Sequence, residues 1–392
     1  MKYKFVKITF GGDLMCLQEQ NQAIMKKYGK YYYNDALSSL SELFDDSDYT
    51  IANLETPISD DQLSAEQICF NTPPNFLKAI KDCGIDFLST ANNHCLDRGI
   101  YGLKDTIAYL DKYGIEHSGT YLTKESSDSI FYKEINGLRI AIICCTFGTN
   151  SEHNGVVLKS DETWMVDLLK RQNKKSRIAS RTTSDRMIYR MIPDNVSIAA
   201  INNTANIPYV QRILDKVIEA KQHSDIVIAI PHIGGQYNPA PGTYTKYIVN
   251  QLTKAGCNLV IAGHPHVPLR TDVVNGVFTI YSLGNLSFTP DVGYYLPNVL
   301  SEYGIVLHTI WNVNTKSLYK VTFNVVKNIV KEDGVSYAMP VHNLYQECAN
   351  AIERDCLLID NEAIVNRICG TRDDITMEKE YTIVSHQLLH HN

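Results

Sequence analysis

Two histidines stand one residue apart where an apolar segment ends, in the stretch LVIAGHPHVPL at 259–269. Side chains two residues apart in an extended segment point the same way, so His264 and His266 could reach one object beyond it. Two imidazoles that face one point suit a divalent ion such as zinc, iron, manganese or nickel. The proline between them restricts the backbone, which would help both rings to face that ion. This spacing therefore indicates a possible metal site.

Other polar residues also follow apolar segments that have the pattern of strands. They are Asp13 after KITFGG, Asn53 and Glu55 in IANLE, Asn92, Asn93 and His94 after FLSTA, and His232 after IVIAIP. In open α/β sheets, ligands bind in the crevice beyond the carboxyl ends of the strands. Five separate segments are therefore expected to contribute to one site.

Most of these residues also have an ordinary structural interpretation. A single histidine such as His232 at a strand end is more often a core or surface residue. Asp13 after two glycines suits a turn, and the pair Asn92 and Asn93 suits a turn or a helix cap. The combination favours a metal centre, because carboxylate, amide and imidazole groups together bind divalent ions that activate water.

His94 is predicted to have a different role. A histidine beside a ligating asparagine is well placed to act as a general acid for a leaving group. Asp97, three residues further on, could orient its ring.

The first half of the chain has the alternating pattern of βαβ units. Strand patterns lie at about 2–10, 48–55 and 85–94, and helix patterns at 35–46, 73–84 and 99–114. Gly11 and Gly12 are expected to form a turn before Asp13. This order predicts a largely parallel inner sheet.

The second half returns to the same alternation after a hairpin. Asn136-Gly137 and Asn275-Gly276 are hairpin signals,. Helices are predicted at about 208–222 and 242–255, each followed by a strand, and more strands lie between about 270 and 330. The expected architecture is two packed sheets with helices on the outer faces. The predicted domain covers 1–340 with an insertion at about 150–205, followed by a helical C-terminal extension at 341–392.

Composition bounds the class of protein. The 392 residues are 44% apolar and 20% charged, and the formal net charge is -6, which argues against a nucleic-acid partner. The ten cysteines are scattered without a C-x-x-C pair and are expected to be reduced,. No apolar run approaches the roughly 18 residues that would span a bilayer. The expected location is cytoplasmic, or the outer face of the membrane if an anchor precedes this sequence.

Six segments together resemble a known family. They are FGGDLM, ANLETPI, STANNHCLDRGIYGL, IPHIGGQY, GHPHV and YSLGN, and TFGTN at 146–150 adds a further similar segment. Their order and separations over about residues 5–290 resemble the CapA-like poly-gamma-glutamate capsule synthesis family, within the calcineurin-like metallophosphoesterase superfamily. The resemblance implies a four-layer αββα sandwich of two mixed β-sheets with a dinuclear metal site at the strand ends.

The resemblance also implies roles for individual residues. Six are the expected metal ligands: Asp13, Glu55, Asn93, His232, His264 and His266. His94 and Asp97 form the expected catalytic pair. Asn53, Asn92 and Tyr237 are the expected substrate contacts. The implied cofactor is one or two divalent ions, with Mn, Fe or Zn expected.

The sequence departs from the pattern at three points. Superfamily phosphatases have Asp-x-His in the first segment, whereas here Met15 replaces the histidine and removes an imidazole from the first metal site. The arginine usual shortly after that segment is absent from Cys16-Leu17-Gln18. Gln236 stands where the family carries glutamate, so the rim of the site has fewer charges.

The expected function is a metal-dependent hydrolase in capsule or poly-gamma-glutamate biosynthesis, acting on a phosphoester or a polyglutamate-type bond. The partner would then be a small-molecule or polyanionic polymer substrate. Two alternatives remain at this stage. One is a non-catalytic component of a capsule-polymer synthesis complex that binds polyanionic polymer, and the other is a binding protein without metal.

Overall fold

The computed structural model describes residues 4–61, 69–172, 201, 203–290, 299–372 and 375–384. Within them, the strands are β1 (Phe5–Leu14), β2 (Tyr49–Leu54), β3 (Phe87–Ser89), β4 (Glu116–Ser118), β5 (Phe131–Ile135), β6 (Leu138–Thr146), β7 (Ile226–His232), β8 (Leu259–Ile261), β9 (Thr271–Val274), β10 (Val277–Ile280), β11 (Asn285–Ser287), β12 (Tyr303–Asn312), β13 (Ser317–Val330), β14 (Ser336–Pro340) and β15 (Tyr381–Val384). The α-helices of the same residues are α1 (Gln18–Tyr28), α2 (Asn34–Leu37), α3 (Asn75–Asp82), α4 (Gly99–Tyr113), α5 (Lys124–Asp128), α6 (Ser151–Asn154), α7 (Ile207–His223), α8 (Thr243–Ala255), α9 (Val341–Glu347) and α10 (Ala351–Cys369).

The strands of the described residues form two mixed sheets. The larger sheet has the order β14-β13-β12-β1-β2-β3-β4, with β11 also paired to β1 and β15 to β13. Its strands from β1 to β4 are parallel, as the βαβ pattern predicts. The smaller sheet has the order β5-β6-β7-β8-β10-β9, with β6, β7, β8 and β10 parallel. The predicted α/β class with two mixed sheets is therefore confirmed.

Alternation along the strands explains the four layers. In β6, Ile140 and Ile142 pack between the two sheets, whereas Ala141 and Ile143 pack on the outer face against α7 and α8. In β2, Ile51 likewise faces the inter-sheet core, while its neighbours face a second cluster with α1 to α3. Side chains in a strand point alternately to its two faces, so each apolar inner strand needs a covering layer on both sides. The result is the predicted αββα sandwich.

Both Asn-Gly hairpins are confirmed. Asn136 and Asn275 have φ values of 51° and 50°, and the glycine that follows each is also left-handed. This conformation at both central residues matches the twist of the flanking strands. The turns join β5 to β6 and β9 to β10 in antiparallel pairs.

One local prediction was wrong, one predicted helix is shorter and partly 3₁₀, and one helix was missed. β1 does not turn at Gly11 and Gly12 but continues through them to Leu14, because its carboxyl end pairs with both β2 and β11. The helix expected at 35–46 is the four-residue α2 followed by a 3₁₀ helix at Ser38–Leu43. Helix α1, at Gln18–Tyr28, was not predicted, because few of its residues are apolar.

About half of the predicted insertion at about 150–205, residues 173–200 and 202, lies outside the described residues. In the C-terminal region, Ile364, Val365 and Ile368 of α10 join the inter-sheet core, and β15 extends the larger sheet. The domain boundary at 340 stays a prediction. All ten cysteines lie in the described residues, none of them forms a disulfide, and most are buried.

Candidate metal centre

Asp13 is positioned by three strands that meet at the carboxyl end of β1. It pairs with Asn53 of β2 on one side and with Asn285 of β11 on the other. The approach of β11 is so close that a Cβ atom on Gly12 would lie 2.0 Å from the carbonyl oxygen of Gly284. Glycine at position 12 is therefore required for this three-strand junction.

The smaller sheet brings His232 to the same point. His232 ends β7 and forms an isolated parallel bridge with Gly263, just beyond β8. A Cβ atom on Gly263 would lie 3.1 Å from Asp13 Oδ1 and 3.6 Å from His232 Nδ1. The absence of a side chain at 263 thus lets the carboxylate of one sheet approach the imidazole of the other.

The extended conformation predicted for His-Pro-His was wrong. β8 ends at Ile261, and His264 and His266 have φ values of 96° and 57°. Left-handed backbone is uncommon for residues other than glycine and costs free energy, so surrounding contacts must hold it. One such contact is the His264 backbone N–H, which donates to Asp13 Oδ2 at 3.3 Å. The two rings still lie close, 5.6 Å apart between centroids, but a folded loop brings them together and not a strand.

Glu55 lies at the centre of the cluster and is fully buried. Its Oε1 is 3.3 Å from His232 Nε2, 3.6 Å from His266 Nε2 and 4.0 Å from His94 Nε2. Neither carboxylate oxygen has a hydrogen-bond partner among the described residues, and His266 Nε2 has none there either. Buried polar atoms without partners are rare in native proteins and call for an explanation such as a bound ion.

His232 Nε2 is the second point of convergence. Asn93 Oδ1 lies 2.7 Å from it and His264 Nδ1 lies 3.1 Å from it, in addition to Glu55 Oε1. Oxygen and nitrogen ligands about 2.1 Å from one divalent ion lie roughly 3 to 3.4 Å from each other. The separations of 3.1 Å to His264 and 3.3 Å to Glu55 match this range, whereas the 2.7 Å to Asn93 is the length of a direct hydrogen bond.

Two groups of three ligand atoms satisfy the geometry of a metal site. One contains Glu55, His232 and His264, and the other contains Asp13, Glu55 and His266. In each group the ligand atoms lie within 4.8 Å of one another. Glu55 belongs to both groups, so its two unpartnered oxygens could bridge two ions. The donor set of carboxylate oxygens and imidazole nitrogens fits Zn, Fe or Mn.

The protonation equilibria of the cluster are strongly shifted. Burial raises the pKa of Glu55 to about 8, although the neighbouring charge of His266 opposes this. Burial lowers the pKa of His232 to about 4, with the Asp13 carboxylate offsetting only part of the effect. His232 is therefore neutral at pH 7 and keeps a nitrogen lone pair available to a metal.

Asp13 and His266 behave as a pair. Burial by itself raises the pKa of Asp13, but its hydrogen bond with His266 and the charges of His232 and His266 outweigh burial and lower it. Burial opposes protonation of His266, but the charges of Glu55 and Asp13 outweigh it and raise its pKa. His266 Nδ1 lies 3.4 Å from Asp13 Oδ2. The carboxylates of the centre thus favour positive charge nearby. Without a metal, bound protons supply this charge, and a divalent ion would replace those protons.

His94 faces the cluster, and contacts with its neighbours hold its ring in place. Its Nδ1 lies 2.5 Å from Asp97 Oδ2, and its ring stacks on Phe70 with centroids 3.9 Å apart. Asp97 also accepts hydrogen bonds from the Phe70 backbone N–H at 2.9 Å and from Asn154 Nδ2 at 3.2 Å. These contacts fix the ring with Nε2 turned towards Glu55.

The residues predicted to contact substrate differ in their surroundings. Asn53 donates to Asp13 Oδ1 at 2.8 Å, and the fully buried Asn92 donates to the carbonyl oxygen of Leu54 at 2.6 Å. Asn92 Oδ1 also accepts from the backbone N–H of His94 at 3.1 Å. The ring of Tyr237 lies 6.0 Å from that of His266. The amides of Asn53 and Asn92 therefore position the ligands, while direct substrate contact by all three residues stays a prediction.

Several neighbours of the cluster were not assigned a role from the sequence. Asn285 Oδ1 lies 3.1 Å from His266 Nδ1, and its Nδ2 donates to the carbonyl oxygen of Ser301 at 2.8 Å. Asn150 Nδ2 lies 3.5 Å from His94 Nε2. The segments YSLGN and TFGTN contain these two residues, so the signal was present without a role attached. Phe70 and Asn154 had no such signal.

Met15 belongs to an apolar cluster beside the centre. Its side chain is buried in an apolar cluster with Leu17, Phe70 and Phe288. The position that holds an imidazole in superfamily phosphatases is therefore part of the apolar wall beneath His94. Cys16 is also internal, and its thiol donates to Asn21 Oδ1 at 3.1 Å.

Comparison with known proteins shows the family to which the chain belongs. The family model described as Bacterial capsule synthesis protein PGA_cap matches residues 7–290, well over half of the chain, and the chain belongs to this family. The PGA biosynthesis protein CapA of Bacillus subtilis (strain 168) is 27% identical over 285 residues, covering 71% of this chain and 62% of that protein. The Capsule biosynthesis protein CapA of Bacillus anthracis is 24% identical over 287 residues, covering 72% and 59%. The chain spans about three fifths of the length of these curated relatives.

Among solved structures, the crystal structure of a novel phosphatase from Mycoplasma pneumoniae has a TM-score of 0.43 and 15% identity to this chain. The superposition covers 83% of this chain and 94% of that one. The fold assignment rests on the sheets and helices themselves and not on this likeness. Among the described residues, no helix combines the length and apolar character needed to span a bilayer.

Proposed function

We propose that the chain is a metal-dependent hydrolase that cleaves a phosphoester or a polyglutamate-type amide bond. The observation that carries this proposal is Glu55, a fully buried carboxylate whose two oxygens lack partners in the described chain while imidazole nitrogens face one of them. A buried carboxylate in this setting costs free energy unless a cation compensates it. The family's link to capsule synthesis sets the biological context.

Six side chains would hold the metal: Asp13, Glu55, Asn93, His232, His264 and His266. When bound, a divalent ion lowers the pKa of a coordinated water and polarises the bond to be cleaved. The two groups of ligand atoms that share Glu55 allow one or two ions.

His94 supplies the proton in this proposal. Its Nδ1–H is held by the Asp97 carboxylate, which orients the ring and leaves Nε2 facing the centre,. Nε2 can then donate its proton to the departing oxygen or nitrogen. Phe70 stacks on the ring and limits its rotation, so the proton is presented in one direction.

Two measurements on the full chain test the proposal. Protein purified without chelator is analysed for Mn, Fe, Zn and Ni, and it is then assayed with bis-p-nitrophenyl phosphate and a γ-glutamyl p-nitroanilide. We expect near-stoichiometric metal and turnover that chelator abolishes. His94→Ala should retain the metal but lose at least about 100-fold in turnover. Protein without metal, or metal-loaded protein without turnover of any phosphoester or γ-glutamyl substrate, would contradict the hydrolase.

A second candidate is a non-catalytic component of a capsule-polymer synthesis complex that binds polyanionic polymer at the same metal. The surroundings of Met15 favour this binding component. Met15 packs in an apolar cluster, whereas superfamily phosphatases carry a metal-binding imidazole at this position. The same assay separates the two functions. Metal that is present without any turnover, together with polymer binding that chelator abolishes, would support the binding component.

A further inference from the structure

Lys170 is a half-buried lysine next to the loop that follows β6 of the smaller sheet. Its ammonium nitrogen lies 3.9 Å from the centroid of the Phe147 ring. Its Cε lies so close to Gly148 that a Cβ atom there would be in contact at 3.8 Å. The lysine stem is thus packed on the residues that follow β6, and its charge is held over an aromatic face.

Within the described part of the chain, the Lys170 ammonium forms no ion pair. Lys216 shows the contrast, because its ammonium is buried and lies 2.8 and 2.9 Å from the two carboxylate oxygens of Asp167. Burial lowers the pKa of Lys170, and the more distant charge of Glu152 opposes this shift. A partly desolvated ammonium with no carboxylate of the described residues at bonding distance is suited to receive an anion.

One short loop connects Lys170 to the candidate metal centre. The loop covers residues 146–150, and the Phe147 backbone N–H donates to the carbonyl oxygen of His232 at 3.0 Å. At the other end, Asn150 Nδ2 lies 3.5 Å from His94 Nε2. The three residues from 148 to 150 can span at most about 11 Å. The residue that carries the ammonium on its ring, Phe147, is thus close along the chain to Asn150, which faces His94, and a substrate that extends from the centre along this loop would approach Lys170.

We propose that Lys170 binds an anionic group of the substrate, a carboxylate or a phosphate, that neighbours the bond cleaved at the metal centre. The inference rests on the proposed function and adds to it a residue that binds the substrate. Substrates with a second negative charge next to the reacting group are bound more tightly than those with one. Phe147 holds the alkyl stem of the lysine beneath the anion, so the charge needs little reorganisation on binding.

The test measures binding to the full-length, Mn²⁺-loaded protein. A fluorescein-labelled pentamer of γ-linked glutamate is titrated by anisotropy, and unlabelled tripolyphosphate is used as a competitor. Lys170→Gln should weaken binding of the favoured anion about tenfold, equivalent to about 1.4 kcal/mol. Lys170→Arg should restore most of it, because it keeps the charge. The metal content and the thermal midpoint of each variant are measured in parallel.

Two controls isolate the charge. Lys159→Gln removes a lysine whose side chain is 77% exposed and 3.6 Å from Glu162, and it should leave binding unchanged. A neutral pentamer of γ-linked glutamine should bind wild type and Lys170→Gln equally. A loss confined to the glutamate pentamer assigns a carboxylate, and a loss confined to tripolyphosphate assigns a phosphate.

The inference is overturned if Lys170→Gln binds both anions as tightly as wild type, if the wild type binds neither, or if the neutral pentamer is weakened equally. These results are separate from those that decide the hydrolase. If the wild type turns over no substrate but binds an anion through Lys170, only the hydrolase proposal is contradicted. If the wild type hydrolyses substrate and Lys170→Gln binds the anions as tightly as wild type, only the proposal for Lys170 is contradicted.

Discussion

Glu55 Oε1 lies 3.3 Å from His232 Nε2, and this contact joins the two sheets at their carboxyl ends. Glu55 follows β2 of the larger sheet and His232 ends β7 of the smaller one. Both side chains are almost completely buried. The two sheets therefore meet at a pair of groups that could share a cation, and the predictions below start from this pair.

Glu55→Gln should separate metal binding from folding. The pKa of Glu55 is raised to about 8, so at pH 7 in the metal-free protein the group is mostly neutral, as glutamine is. We expect the free energy of unfolding without metal to change by less than about 1 kcal/mol, while the dissociation constant of the metal rises at least about 100-fold. Chemical denaturation in chelator and metal titration of the same variant test the two parts.

Glu116→Gln is the matched control. Glu116 is a partly exposed carboxylate in β4 that pairs with Lys133 at 2.8 Å. Metal affinity should be unchanged in this variant. An unaltered metal affinity in Glu55→Gln as well would show that Glu55 does not bind the ion.

Metal binding should release protons at neutral pH. Burial raises the pKa of Glu55 to about 8, and the acidic neighbours of His266 raise its pKa as well. Glu55 holds its proton below its pKa of about 8, and the raised pKa of His266 favours its protonated form, so a metal must displace both protons,. The apparent affinity should therefore rise with pH between about 6 and 8 and level off above the pKa of Glu55.

Calorimetric titration at pH 7 in two buffers with different ionisation enthalpies counts the released protons. Glu55→Gln should release fewer protons than wild type, because its amide has none to lose. An affinity that is independent of pH from 6 to 8 would refute this linkage.

Asn285→Ala should weaken the centre without removing a ligand. Asn285 Oδ1 lies 3.1 Å from His266 Nδ1, and its Nδ2 donates to the buried carbonyl oxygen of Ser301. Loss of an outer contact to a ligating histidine lowers metal affinity by about 10- to 100-fold, and the unpaired carbonyl costs about 1 to 3 kcal/mol. The effects on affinity of Asn285→Ala and His266→Ala should not add, because both act on one ligand.

The control for this pair is Asn275→Ala, which alters an asparagine in the turn between β9 and β10. It should leave metal affinity unchanged. Additive losses in the Asn285 and His266 double mutant would show that Asn285 does not act through His266.

Met15→His should not restore a missing ligand. The side chain of Met15 is buried with Leu17, Phe70 and Phe288, so an imidazole there would replace apolar contacts with an unsatisfied polar group. We expect destabilisation of about 2 to 4 kcal/mol and no increase in the ratio of metal to protein. Met15→Leu is the matched control, with a cost below about 1.5 kcal/mol. A higher metal ratio in Met15→His would show that the wall can rearrange to admit a ligand.

The sequence alone predicted the layers of the fold and most of the side chains that the structure brings together in the candidate centre. A nearly continuous apolar run such as LRIAIICCT predicts a strand covered on both faces, and β6 is buried in this way. Asn-Gly pairs predict hairpins because few other residues adopt the required left-handed backbone. Both of these signals are local, so they can be read along the chain.

Tertiary structure decided what depends on contacts between distant segments. Asp13 pairs with Asn285 across more than 270 residues, and no local pattern of residues predicts that pairing. The backbone of His264 and His266 is left-handed, and Asp13 holds it by a hydrogen bond. The spacing of the two histidines predicted that both rings lie near one point, but the extended backbone assumed for this prediction is not present. Met15 is two residues from Asp13 but packs into an apolar cluster.

The physical reason is the same in each case. Backbone conformation at a strand end and the direction of a side chain there depend on which other segments pack against it. These contacts form only when both sheets are assembled. Residue types and their order therefore determined which groups are available to bind a metal, and the packing of the two sheets decided where their atoms meet.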